Sequence, residues 1–176
     1  MKQIMKKVLI IDTSILCVYL GVPGKETCGD DNDKWDKKRV EIRFQEEEKQ
    51  GTDFILPLAT IIETGNHIAQ ANSMRYEIAQ AFADILVKVA DGIIPWAVFT
   101  TELDELWSKE KLKELALEWP TLASCNISLG DATIKNVAEF YANTGFEVEI
   151  FTGDKGLKAY EPATPPLTRR SDRRKS

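Results

Sequence analysis

The chain has 176 residues, 43% hydrophobic and 29% charged, with a net charge of −5. At roughly 150 residues per domain this is one domain, large enough to bury a core without disulfide or zinc staples. A domain that grips nucleic acid with its whole surface is basic, so the acidic balance confines any such contact to a local patch or to one carried by metal ions.

Residues 6–11 are a short Val- and Ile-rich run that predicts a buried strand. Asp12, Thr13 and Ser14 then offer capping side chains to a helix over the apolar ILCVYL. Lys2, Lys6 and Lys7 before this stretch imitate a signal peptide, but Asp12 interrupts the apolar run and no small-residue cleavage site follows. No apolar run approaches the ~18 residues of a membrane span. Residues 21–33 read as a loop from their Gly, Pro and Asp content. Residues 34–50 read as an exposed helix with Trp35, Val40, Ile42 and Phe44 on an imperfect apolar face, ended by Gly51. Residues 53–58 are the second strand, with Pro57 suited to its terminus. A helix is expected from Thr60, and another over 73–92, where Ile78, Phe82, Ile85, Leu86 and Val89 recur at helical spacing.

Residues 93–100 are the third strand. Residues 101–119 predict a helix with Leu103, Leu106, Trp107 and Leu115 on one side and Pro120 as its stop. Ser128 opens the next helix, with Ile134, Val137, Ala138 and Tyr141 inward and Gly145 at its end. Residues 146–154 are the fourth strand, and KGLKAY is a helical turn. The domain is expected to span 1–161. Residues 162–176 carry three prolines and then Arg169, Arg170, Arg173, Arg174 and Lys175, and are expected to be disordered. Strands alternating with helices predict an α/β fold, a mostly parallel sheet covered on both faces, with its chemistry beyond the strands' C-terminal ends.

Four acids stand at corresponding places along this pattern. Asp12 ends the first strand, Glu63 falls in the first turn of the helix after the second, Asp131 falls in the first turn of the helix begun by Ser128, and Asp154 follows the last strand. The sheet topology brings all four to one edge. Each has a plain structural reading: Asp12 as an N-cap, Thr60–Glu63 and Ser128–Asp131 as capping boxes, Asp154 as a turn residue. Together they leave a mutual repulsion that helix dipoles offset by only ~0.3–1 kcal/mol each. Divalent cations would resolve it, and an all-oxygen set selects Mg²⁺ or Mn²⁺ rather than zinc. Such a cluster suits phosphodiester hydrolysis and needs no protein nucleophile. The chain has a single histidine, His67, and Cys17, Cys28 and Cys125 are far apart in sequence. That argues against a zinc or Cys–His site and for a reducing cytoplasm.

IIDTSIL at 10–16, LPLATIIETGNHIA around Glu63, SLGDATI at 128–134 and IFTGDKG at 150–156 resemble, in order, the four acidic motifs of the PIN-domain nucleases. The resemblance implies a three-layer α/β/α fold and a Mg²⁺- or Mn²⁺-dependent endoribonuclease acting on single-stranded or loop RNA, like the toxins of bacterial toxin–antitoxin pairs. It assigns metal binding and catalysis to Asp12, Glu63, Asp131 and Asp154, supporting roles to Ser14 and Thr152, and a further polar contact to Asn66. A protein inhibitor (antitoxin) and a homodimer are the partners it implies. The chain departs from compact members of the family by an insertion over 21–50 and by lacking a recognisable strand after Asp154. A PIN-type nuclease of defence or RNA processing fits the same motifs.

Lys155 and Lys158 beside Asp154 are candidate phosphate contacts. His67 reads as a packing or surface residue, and Trp35, Trp96, Trp107 and Trp119 as core or interface residues. Gly24-Lys25 lacks P-loop spacing, and Asp31-Asn32-Asp33 lacks an EF-hand continuation. Two other functions compete: a non-catalytic PIN-like binding module, and a receiver-type phosphate-transfer domain, which usually has paired acids at its first strand.

Overall fold

The computed structural model describes residues 5–97 and 106–164. In chain order its elements are β1 (Lys7–Ile11), α1 (Thr13–Leu20), a hairpin of β2 (Thr27–Cys28) and β3 (Trp35–Asp36), α2 (Lys37–Lys49), β4 (Asp53–Ile55), α3 (Leu58–Gln70), α4 (Arg75–Ala90), β5 (Trp96–Ala97), α5 (Lys109–Ser124), α6 (Leu129–Asn143), β6 (Glu147–Phe151) and α7 (Lys155–Lys158).

β1 organises the sheet because its side chains are apolar on both faces. Leu9 and Ile11 enter one core, Val8 and Ile10 the other, and all four are fully buried. A strand buried on both sides belongs inside a parallel sheet. β1 pairs in parallel with β4 through Leu9 opposite Phe54, and with β6 through Leu9 opposite Glu149. β5 extends the sheet beyond β4, for the order β5-β4-β1-β6. Against Leu9 and Ile11 pack Ile15 of α1, Val40 and Phe44 of α2, Ile68 of α3, and Ile78, Phe82 and Ile85 of α4. Against Val8 and Ile10 pack Ile134, Val137 and Ala138 of α6 and Leu157 of α7. α5 joins that side by packing Leu115 and Leu122 against Ile127 and Ala132. The fold is therefore a three-layer α/β/α arrangement on a parallel central sheet. The chain builds outward from β1 to β5, then returns to β1's other side for β6. The strand order reverses there, which is where open α/β sheets place ligands.

Several boundaries differ from the sequence expectation. The 21–50 segment is built into the core. Phe44 meets Tyr19, Phe54, Trp96 and Phe151 at ring-centroid distances of 5.0, 4.9, 5.7 and 5.7 Å. Ile42, placed on the apolar face, is exposed. Trp35 and Asp36 are paired with Thr27 and Cys28 rather than helical. α3 begins at Leu58 after Pro57, two residues before Thr60. Pro120 does not stop its helix: α5 runs to Ser124 with Pro120 inside. A proline there forfeits one backbone hydrogen bond, and the helix continues because Leu122 beyond it is buried. The expected strand over 93–100 is β5 alone among the described residues, and 98–105, with Leu103, lie outside them, as do 165–176 with the basic run.

α2 is fastened by a buried carboxylate. Glu47, 3% exposed, accepts hydrogen bonds from Lys7 Nζ (2.7 Å), Arg43 Nη2 (2.6 Å) and Thr52 Oγ1 (2.6 Å). Lys7 and Arg43 also pair with Glu149 of β6. Burial alone would push the Glu47 carboxyl up, but the Lys7 and Thr52 hydrogen bonds and the two cations outweigh it and hold it below its usual 4.5. Removing one partner of a buried charged pair leaves the others uncompensated. Because Lys7 and Arg43 remain partly solvated, Glu47→Gln is expected to cost about 2–3 kcal/mol in urea unfolding at pH 7. A carboxylate held low stabilises the fold above its unfolded value and loses this contribution as pH falls through its folded value. The difference between wild type and variant should therefore persist at pH 5 and shrink below pH 4.5.

Candidate functional site

Asp12 is the first residue beyond β1, its N–H still donating to Phe151 O at 3.1 Å. Only 5% exposed, it is the N-cap of α1. One oxygen, Oδ2, accepts from Ser14 N (3.3 Å), Ser14 Oγ (2.6 Å) and Thr152 Oγ1 (2.8 Å). The two hydroxyls carry the network onward, Thr152 Oγ1 accepting from Asp154 N at 2.9 Å and Ser14 Oγ from Gly153 N at 3.1 Å. The ends of β1 and β6 are thus joined side chain to side chain around Asp12. Ser14 and Thr152 sit against it.

Asp154 caps α7, its Oδ1 accepting from Gly156 N at 2.6 Å and Leu157 N at 3.4 Å. Asp131 completes a capping box. Its Oδ2 accepts from Ser128 N and Ser128 Oγ while its own N–H donates to Ser128 Oγ. Glu63 is different. Because α3 starts at Leu58, Glu63 lies in its second turn, and the Thr60–Glu63 capping box does not form. Thr60 instead donates to Ile11 O at 2.8 Å, pinning α3 to the end of β1. Glu63 Oε2 is held by Thr13 Oγ1 at 3.1 Å, and Oε1 lies against Gly130 of α6.

The four carboxylates therefore meet at one sheet edge. Each has one oxygen engaged by a neutral donor. The other, Asp12 Oδ1, Glu63 Oε1, Asp131 Oδ1 or Asp154 Oδ2, accepts no hydrogen bond from any described residue. Among the described residues none of the four forms an ion pair with Lys, Arg or His. Burial, then the charges of Asp131 and Asp12, raise the Glu63 carboxyl above 4.5 against the Thr13 hydrogen bond. Burial, then the charges of Asp12 and Asp154, raise Asp131 above 3.8 against its bonds to Ser128. Among the described residues no three His, Cys, Asp or Glu groups are gathered closely enough to ligate one ion. The donor set itself, four carboxylates with oxygen atoms only, suits a hard divalent cation.

Other candidates fall away from this centre. Lys158 donates to Ile150 O (2.9 Å) and Glu161 (2.6 Å), covering the β6 edge instead of facing the acids. Lys155 is paired with Asp30 of the β2–β3 hairpin. Asn66 is exposed and makes no hydrogen bond to the four acids. His67 is held below 6.5 by partial burial and the charge of Lys25, so it is neutral at pH 7. Burial pushes Cys17 up to about 11 and also raises Cys28, so neither is a ready thiolate nucleophile. Thr13 and Gly130, which touch Glu63, were not singled out from sequence. The available signal was a glycine in a helix's first turn, where propensity disfavours it. Comparison with protein-family models, curated proteins and solved structures returned no match.

A carboxyl whose folded value is raised contributes most stability below its unfolded value and loses it as pH rises through the folded one. Glu63 and Asp131 therefore destabilise the fold at pH 7, and this cost is relieved as pH falls through their raised values. Glu63→Gln should raise the Tm of the EDTA-treated protein at pH 7. The gain should vanish near pH 4.5, as read by scanning calorimetry. A residue serving only to hold the fold would give a lower Tm instead.

Proposed function

We propose that the chain is a Mg²⁺- or Mn²⁺-dependent endoribonuclease of the PIN-domain type, hydrolysing phosphodiester bonds in single-stranded or loop RNA. The observation that carries this reading is four carboxylates at the strand-order reversal, each with an unengaged oxygen and none with a cationic partner among the described residues. Asp12, Glu63, Asp131 and Asp154 would hold the metal. When bound, a divalent ion supplies Lewis acidity toward a phosphodiester and neutralises its charge. Asp12, the most buried of the four and held by two hydroxyls, provides the fixed point. Ser14 and Thr152 orient it. The acidic net charge favours a metal-mediated contact with a polyanion over one made by a basic surface. The motif order at 10–16, 56–69, 128–134 and 150–156 extends the proposal to a toxin-type nuclease with a protein inhibitor and a homodimeric state.

End-labelled RNA and single-stranded DNA incubated with Mg²⁺, Mn²⁺ or EDTA test this. RNA should be cut only with metal. Asp12→Asn and Asp131→Asn should each reduce cleavage by at least about 100-fold while remaining folded, and Ser14→Ala and Thr152→Val by about 10–100-fold, the range for groups that orient a ligand. Cleavage at the native rate by either Asp variant, or in EDTA, would remove the assignment.

A further inference from the structure

Gly130 lies in the first turn of α6 with an ordinary helical backbone, where glycine is a poor helix former. Its torsions do not call for glycine; the space beside it does. A Cβ at this position would overlap Glu63 Oε1 and lie 3.1 Å from Glu63 Cδ. On the other side, Thr13 Oγ1 donates to Glu63 Oε2 at 3.1 Å. The Glu63 carboxylate is therefore held edge-on between the start of α1 and the start of α6, beside Asp131, the next residue of that turn.

We propose that Gly130 is a positioning residue: its missing side chain opens the slot that seats Glu63 beside Asp131, and Thr13 closes that slot from the opposite side. The inference rests on the metal-site reading above. Glu63 is the only one of the four acids that does not cap a helix, so backbone donors do not fix it. The atom a new Cβ meets is the far end of a flexible side chain. A methyl group at 130 would displace the carboxylate and leave the backbone of α6 where it is.

Mn²⁺ binding to the purified full-length chain, measured by titration calorimetry alongside the Tm of the metal-free protein, tests this. Gly130→Ala should fold with a Tm no lower than wild type and bind Mn²⁺ at least about tenfold more weakly. Glu63→Asp withdraws the carboxylate by one methylene and vacates the slot. In that background Gly130→Ala should change the dissociation constant less than about twofold, the non-additivity of groups in contact. Thr13→Val leaves α6 untouched and should weaken Mn²⁺ in the same direction, which keeps the test decisive should Gly130→Ala fail to fold. Equal losses from Gly130→Ala in both backgrounds, or unchanged binding in Gly130→Ala or Thr13→Val, would overturn the role. Absence of Mn²⁺ binding by wild type would instead overturn the metal site, and this inference with it.

Discussion

Like charge gathered at one place is the constraint around which this molecule is arranged. Four carboxylates stand at the edge where β1 and β6 end, and the chain answers them with neutral donors: Ser14, Thr152, Thr13, Ser128 and the amides of α7. These donors orient the carboxylates without cancelling their charge. Three of the four sit at helix N-termini, where the dipole favours an anion by ~0.3–1 kcal/mol. Capping and site-building are often weighed as rival explanations for such residues. Here one oxygen of Asp12, Asp131 and Asp154 caps, and the other is left open to a ligand.

The contrast with Glu47 shows what the chain does when it wants a carboxylate silenced. Glu47 is more deeply buried than Asp12, yet it is surrounded by Lys7, Arg43 and Thr52. Its charge is spent on tying α2 to the sheet. The site acids have no such partners among the described residues. The same chain thus contains a fully compensated buried carboxylate and a group of acids without cationic partners among the described residues, at opposite ends of β1.

The pattern of apolar runs made the four principal strands and their parallel arrangement readable, because an unbroken run such as Val8, Leu9, Ile10, Ile11 suits a strand buried on both faces. The capping signals at Asp12 and Ser128 were readable for the same reason: they act over two or three residues. What escaped was non-local. The Thr13–Glu63 and Asp12–Thr152 bonds join residues 50 and 140 positions apart. The start of α3 was misplaced because Thr60 resembles a cap, while its hydroxyl is committed to Ile11 O. Pro120 was read as a stop by propensity, and packing of Leu122 overrides it. The 21–50 segment looked peripheral because its charges dominate the composition, while Val40, Phe44 and Glu47 carry its burial.

Among the described residues β1 is the first strand and β6 the last, yet they are sheet neighbours. A growing chain has Asp12 as soon as β1 is made and receives Thr152 and Asp154 only with β6. Until then β1 has an unpaired edge, and the hydroxyl that steadies Asp12 has not been synthesised. The acidic edge is therefore closed only when β6 takes its place beside β1. A chain cut before β6 would carry Asp12, Glu63 and Asp131 without the Thr152 hydroxyl that steadies the first of them.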